Sequence, residues 1–276
     1  LVTHKKVAHI GFTGGAEAGR KIYETAARGF KTVTLELGGK SPNIVFDDAD
    51  MDQAVKGVVS GIFAASGQTC QAGSRLLVQR SIHDAFVDKL IAFVKTAKLG
   101  DPALPGTQIG PITTRPQFEK ILSFIRMAKE EGARCVLGGN SRPDLGPGLF
   151  IEPTILTNVR NQMRIAQEEV FGPVLAVIPF DDEQEAIAIG NDVVYGLAAG
   201  VWTTSLRRAM QMSDALEAGT VWVNNYRATS FTSPFGGFKR SGIGRESGVE
   251  AIKEYLQTKC VWISSDVDVP NPFIRR

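Results

Sequence analysis

Apolar and polar positions along the chain begin with a β-type run at residues 7–12, which stops at Thr13-Gly14-Gly15. Helical spacing follows over 16–28, and a second strand-type run covers 32–37. Together these predict one β-loop-α-β unit, the building block of a parallel sheet. Gly38-Gly39 and the Ser41-Pro42 turn separate it from a further strand at 43–46. Asp50 is placed to cap a helix over 51–65, whose apolar stripe is Ala54, Val55, Val58, Ile62 and Phe63. A strand is predicted at 74–79. Ser81-Ile82-His83-Asp84 then reads as a capping box opening a helix with Ile82, Ala85, Phe86, Leu90, Phe93 and Val94 on one face.

Further on, helices at 117–131, 183–191 and 206–218 alternate with strands at 173–178, 198–202 and 220–223. That alternation predicts an α/β fold with a second, mostly parallel sheet. The Gly- and Pro-rich stretch 138–148 reads as a surface loop, and 259–264 as a last strand before a Pro-containing tail.

Composition narrows the class without choosing a function. The 276 residues are 43% hydrophobic and 22% charged, enough for a sizeable core. Thirty-one basic and 29 acidic side chains leave a formal charge of +2, with no block of one sign to suit nucleic acid or a membrane surface. Three scattered cysteines, Cys70, Cys135 and Cys260, argue against a disulfide framework and for reduced thiols in a cytoplasmic setting. The three histidines add no metal-ligand spacing, so no metal is expected. No apolar stretch approaches the roughly 20 residues that span a bilayer, and no signal peptide is evident. The opening Leu1-Val2-Thr3-His4, with a strand almost at once, reads as a start in mid-fold.

Five segments carry candidate chemistry. Phe12-Thr13-Gly14-Gly15-Ala16-Glu17-Ala18-Gly19 is either a tight βα turn or a phosphate seat at a helix N-terminus. Glu36 closes an apolar strand before two glycines, where open α/β sheets place ligands. Burial there suits a general base, and a salt bridge to Lys40 is the plain alternative. Cys70 sits among small residues in Ser66-Gly67-Gln68-Thr69-Cys70-Gln71-Ala72-Gly73, in a loop open to a substrate. Cys135 and Cys260 instead lie in apolar runs typical of buried, inert thiols. Glu168-Glu169-Val170-Phe171-Gly172-Pro173 is either a charged helix end or a ribose contact beside a flat ring. Ser233-Pro234-Phe235-Gly236-Gly237 either walls a pocket or makes a rigid turn.

In this order, the strings Leu35-Glu36-Leu37-Gly38-Gly39-Lys40-Ser41-Pro42, Gly67-Gln68-Thr69-Cys70-Gln71-Ala72-Gly73-Ser74-Arg75, Glu168-Glu169-Val170-Phe171-Gly172-Pro173-Val174 and Ser233-Pro234-Phe235-Gly236-Gly237 resemble the aldehyde dehydrogenase superfamily over residues 7–264. The resemblance implies the end of a Rossmann-like NAD(P)-binding domain at 1–38 and an α/β catalytic domain at 39–238. A C-terminal return and oligomerisation segment would follow at 239–276. It implies that Cys70 is the nucleophile and Glu36 the base. Gly14, Gly15 and Gly19 would line the pyrophosphate of NAD or NADP. Leu37, Glu169 and Phe171 would meet its nicotinamide end, and Thr69, Arg227 and Phe235 would form the substrate pocket. The implied reaction takes a small-molecule aldehyde to an acid through a thiohemiacetal and a thioester, in a homo-oligomer. Glu36 implies free acid rather than an acyl-coenzyme A product. Ala64 and Ala65 put small side chains before the cysteine loop, and Arg227 is either a surface arginine or a contact for an acidic aldehyde.

Two departures stand out. Gly15 occupies a place where the family often has serine. The family's upstream strands, its Trp-Asn oxyanion motif and its adenosine-side lysine motif do not occur in this sequence. The alternative implied by that departure is a truncated, non-catalytic family member serving as a binding or structural protein.

Overall fold

The protein is described here as a computed structural model over residues 1–265 and 271–274. Strand β1 (His9–Thr13), helix α1 (Ala16–Ala27) and strand β2 (Thr32–Glu36) form the expected β-loop-α-β unit. The two strands run parallel, with Thr13 opposite Glu36, and the Gly14 N–H bonds the Glu36 carbonyl at 3.0 Å. The chain then leaves this sheet to build a second one.

Strand β3 (Pro42–Val45), helix α2 (Met51–Ile62), strand β4 (Arg75–Gln79) and helix α3 (His83–Val94) begin it. Helix α4 (Arg115–Glu130), strands β5 (Arg134–Leu137) and β6 (Thr154–Thr157), the single-turn helix α5 (Arg164–Gln167) and strand β7 (Val174–Phe180) follow. Helix α6 (Glu183–Asn191), strands β8 (Tyr195–Gly196) and β9 (Ala198–Trp202), helix α7 (Leu206–Ala215) and strand β10 (Thr220–Val223) close it. Short strand β11 (Phe238–Lys239) pairs with β8 outside the large sheet, and β12 (Gly242–Ile243) turns back to the start of the chain.

The second sheet has seven strands in the order β10-β9-β3-β4-β7-β6-β5. Every neighbouring pair is parallel except β5 with β6, so the mostly parallel architecture is present. Such a sheet is buried on both faces, and β4 shows it directly. Leu76 and Val78 pack with Val55, Ile62, Phe86 and Leu90 of α2 and α3, while Leu77 faces Phe46, Phe180, Ala186 and Met212 on the other side. A third cluster, built on Ile121, Phe124 and Ile125, seats α4 against β6 and β7.

Strand β12 runs antiparallel to β2, with Gly242 opposite Glu36, so the chain's late segment completes the three-stranded first sheet. Among the described residues, no helix is long and apolar enough to cross a membrane.

Four local expectations are corrected. Helix α2 stops at Ile62 rather than 65, because Ala65, Ser66 and Gly67 take left-handed φ values of 50°, 53° and 69°. The capping box at Ser81 does not form: residues 80–82 make one 3₁₀ turn, and Ile82 precedes α3 without a side-chain cap. Strands β5 and β6 were not read from the pattern, and β5 is interrupted by a bulge between Cys135 and Leu137. Residues 259–264 form no strand, and Cys260 is exposed rather than buried.

Candidate active site

Glu36 ends β2 with only 4% of its surface exposed, and neither carboxylate oxygen has a hydrogen-bond partner among the described residues. Burial pushes its pKa up to about 8, the Glu246 charge adds to the rise, and Arg245 opposes it. The plain alternative, a salt bridge to Lys40, does not form. Lys40 is itself 1% exposed with an unpartnered Nζ, and burial lowers its pKa to about 7.

The glycine loop closes over Glu36. A Cβ on Gly236 would stand 2.8 Å from Glu36 Oε1, and Phe235 exchanges both backbone hydrogen bonds with Glu246 at 2.7 Å. Ser241, fully buried, fixes the strand end. Its Oγ donates to the Gly38 carbonyl at 2.8 Å and accepts the Gly196 N–H at 3.0 Å, and its carbonyl takes the Leu37 N–H at 2.8 Å.

Cys70 follows the left-handed turn after α2. Ser66 Oγ donates to the Gly110 carbonyl at 2.8 Å, and Gly67 lies against the Gly172 carbonyl, where a side chain would collide with backbone. Gly39 brings the two halves of the site together, since a Cβ there would stand 2.6 Å from the Cys70 carbonyl oxygen. The Cys70 thiol is half-buried and donates to Gln71 Oε1 at 3.1 Å. Burial raises its pKa, and the charges of Glu169 and Glu36 act in the same direction.

Glu169 accepts the Gly39 N–H at 3.1 Å, and burial raises its pKa against the pull of that N–H, Lys120 and Lys40. Phe171 has a left-handed φ of 57°; Gln117 Nε2 holds this bend by donating to the carbonyls of Val170 and Phe171 at 2.7 and 2.9 Å. Thr69 lines the same small cavity as Gly39, Glu169 and Phe171, with its Oγ1 buried and unpartnered among the described residues. Leu37 packs on Gly19, where a Cβ would stand 2.5 Å from Leu37 Cδ2. Gly19 therefore seats α1 on the strand end. Gly15 caps α1 without a side-chain bond and has open space around it, while Gly14 sits under the Phe12 ring.

Thus Glu36, Leu37, Cys70, Glu169, Phe171 and Thr69 converge on Gly38-Gly39. The three residues expected to form the substrate pocket have different neighbours among the described residues. Thr69 faces Glu169 and Phe171. Phe235 lines a separate cleft of about 590 Å³ with Gln71, Trp222 and Phe231. Arg227, at φ 70°, donates to the Ser60 carbonyl at 3.5 Å on the α2 side.

Comparison with known proteins agrees with this convergence. The sequence profile of the aldehyde dehydrogenase family matches residues 1–261. The chain belongs to that family.

Among relatives, betaine aldehyde dehydrogenase of Cereibacter sphaeroides is 45% identical over 98% of this chain and 56% of its own length. Human 4-trimethylaminobutyraldehyde dehydrogenase is 43% identical over 99% of this chain and 56% of its own. The chain spans about half the length of the curated relatives it matches. A Staphylococcus aureus betaine aldehyde dehydrogenase structure, complexed with NAD+ and carrying a BME-modified cysteine, superposes with a TM-score of 0.96 at 45% identity, covering 99% of this chain and 56% of that one. An NAD+ complex of indole-3-acetaldehyde dehydrogenase gives 0.93 at 46% identity, over 95% and 54%.

Sequence reasoning assigned no role to Ser241, Gln71, Tyr226 or the Arg245–Glu246 pair. Gln71 had a local signal as the neighbour of Cys70, and Ser241 and the pair had one just after the glycine loop. Tyr226 gives none, because its contact with Gln71 spans 155 positions: its Oη donates to the Gln71 carbonyl at 2.9 Å.

Proposed function

We propose that this chain carries the nucleophile and the base of an NAD(P)-dependent oxidation of an aldehyde to a carboxylic acid. The observation that carries the reading is the approach of Gly39 to the Cys70 carbonyl, which places a thiol-bearing loop beside the strand end that holds Glu36. A dinucleotide fits the surroundings. The first turn of α1 presents backbone N–H groups with no side-chain cap, Gly15 leaves room beside them, and Glu169 stands buried against Gly38 and Gly39. Gly14 and Gly15 would face the pyrophosphate, Gly19 would support Leu37, and Leu37, Glu169 and Phe171 would face the nicotinamide end. When bound, the nicotinamide supplies the acceptor for the hydride leaving the substrate carbon.

The chain's own residues supply the rest. The Cys70 thiol gives its proton to solvent and its sulfur bonds the aldehyde carbon, whose C=O π pair moves to oxygen, giving a thiohemiacetal whose oxyanion is held partly by the Cys70 backbone N–H. Loss of hydride leaves a thioester on Cys70. Glu36, once ionised, takes a proton from water, whose oxygen attacks the thioester carbon. The C–S bond breaks, the acid leaves and the thiol is restored. Phe235 would wall the approach to the sulfur from the Gln71 cleft.

In this reading residues 1–38 end the cofactor unit, 39–238 form the catalytic unit, and 239–276 return and assemble subunits in a cytoplasmic homo-oligomer. Pairing of β12 with β2 supports the return, and the 92% and 89% exposure of Trp262 and Ile263 supports assembly. The matched relatives are named for aldehyde dehydrogenase activities, which gives the non-catalytic alternative no support.

The test is aldehyde-dependent formation of reduced nicotinamide by the protein carrying this chain, with Cys70→Ala alongside. Turnover that vanishes in the variant supports the assignment, and a variant that keeps normal turnover overturns it.

A further inference from the structure

Gln71 has two contacts that pull in different directions. Its backbone carbonyl is pinned by Tyr226 Oη at 2.9 Å, and Tyr226 is only 6% exposed with its ring 4.7 Å from that of Trp222. Its side chain instead turns to the neighbouring sulfur, where Oε1 accepts the Cys70 S–H at 3.1 Å. Gln71 also lines the cleft of about 590 Å³ that contains Phe235, so one residue touches both the cleft and the Cys70 thiol.

We propose that Gln71 is a positioning residue that holds the Cys70 thiol protonated and aimed away from attack until a ligand entering the cleft displaces its carboxamide. An acceptor for S–H stabilises the neutral thiol over the thiolate. The backbone N–H groups of Gln71 and Cys70 favour the thiolate, whereas the charged groups that face Cys70, Glu169 from the segment before β7 and Glu36 at the end of β2, both disfavour it, as the Gln71 carboxamide does. Of the three, only Gln71 is a side chain of the cysteine's own loop and a wall of the cleft. It alone can be moved by what enters there, without disturbing the strand end. The pinned backbone makes this a side-chain motion, since Tyr226 keeps the loop in place while the carboxamide swings.

The consequence for turnover rests on Cys70 being the nucleophile, but the thiol's protonation can be read without turnover. Alkylation of Cys70 by iodoacetamide, followed across pH by peptide-resolved mass spectrometry, separates it from the exposed Cys260. Gln71→Ala should lower the midpoint of the pH–rate curve and raise the rate at pH 7 about three- to tenfold, the span expected for one lost hydrogen bond. Gln71→Glu, nearly isosteric, should raise the midpoint and slow alkylation at pH 7. Unchanged midpoints in both variants overturn the proposal, and so does a Gln71→Ala acceleration by one constant factor at every pH, which would mean simple shielding. The proposed function fails by a different result: a Cys70→Ala variant with normal turnover leaves these midpoint shifts untouched.

Discussion

Gly236 lies against the carboxylate of Glu36, so close that a methyl group at that position would stand 2.8 Å from Oε1 and at the same distance from the Gly244 carbonyl and Arg245 Cδ. The glycine loop is therefore the lid of the Glu36 pocket. It keeps water scarce around a carboxyl group that has no hydrogen-bond partner among the described residues.

Gly236→Ala should force the loop and the carboxylate apart. With a displacement near 1 Å at a base, deacylation is expected to slow up to about a hundredfold. Rapid-quench detection of the thioester checks this: acyl-enzyme should accumulate on Cys70 in the variant during turnover. A steady-state rate equal to wild type would show that the loop does not set the position of Glu36.

The raised pKa of Glu36 makes a prediction about stability with a definite sign. Below about pH 4.5 the carboxyl is protonated in both folded and unfolded chains, and burial costs nothing through ionisation. Between there and about pH 8 the unfolded chain ionises while the folded one resists, so stability falls as pH rises and levels off above the folded pKa. Glu36→Gln removes this dependence. The variant should gain a few kcal/mol over wild type at pH 8 and little at pH 5. Thermal unfolding of both proteins at the two pH values measures it, and an equal gain at both would refute the burial assignment. In turnover the same residue should make deacylation rise with pH toward about 8, and Glu36→Gln should flatten that rise.

What the sequence disclosed and what it withheld follow from the range of the signals. Glu36 beside Gly38 and Gly39, and Cys70 among small residues, could be singled out because those signals are adjacent in the chain, but the segments alone left their roles open and the family resemblance chose between them. The division of Thr69, Phe235 and Arg227 among three environments was not legible. It depends on left-handed backbone at Ala65, Ser66 and Arg227, none of them glycine, and propensity gives no hint of such bends. Ser81 failed as a cap because the chain enters α3 through a 3₁₀ turn, a tertiary choice that a four-residue motif does not encode. Strand β5 was missed because it is a short edge element broken by a bulge between Cys135 and Leu137, and β6, four residues inside the sheet, was missed with it.

The packing of α2 on the second sheet supplies a prediction about the scaffold alone. Gly57 faces the six-membered ring of Trp202, leaving no space for a side chain, and the indole N–H is fixed on Asn43 Oδ1 at 2.8 Å. Gly57→Ala should cost about 3 kcal/mol, at the upper end for overpacking, because the ring cannot move without losing its buried hydrogen bond. Denaturant unfolding should show a lower midpoint with the slope unchanged. A variant within about 0.5 kcal/mol of wild type would mean that the helix and ring separate freely.

Arg75 gives the sharpest separation of charge from geometry. It is fully buried and makes four hydrogen bonds: Nε to the Lys40 carbonyl at 2.9 Å, Nη1 to Asn161 Oδ1 at 3.2 Å and the Ile189 carbonyl at 2.7 Å, and Nη2 to the Gly190 carbonyl at 2.7 Å. Two of these carbonyls lie at the C-terminal end of α6, where the helix dipole favours a cation. Even so, burial lowers the pKa of Arg75 to about 10, with Asp192 opposing the fall. The cation is thus held by shape, since a planar fork reaches acceptors on three segments at once. Arg75→Lys keeps the charge but cannot span them, and should cost about 3–5 kcal/mol. Arg75→Met loses the hydrogen bonds without leaving a charge in the core, and should be no less stable than the lysine variant. Both changes free the Lys40 carbonyl and loosen the Glu36–Lys40 strand end, so turnover should fall in each. If unfolding instead shows lysine clearly more stable than methionine, charge rather than the fork is what the core requires at this position.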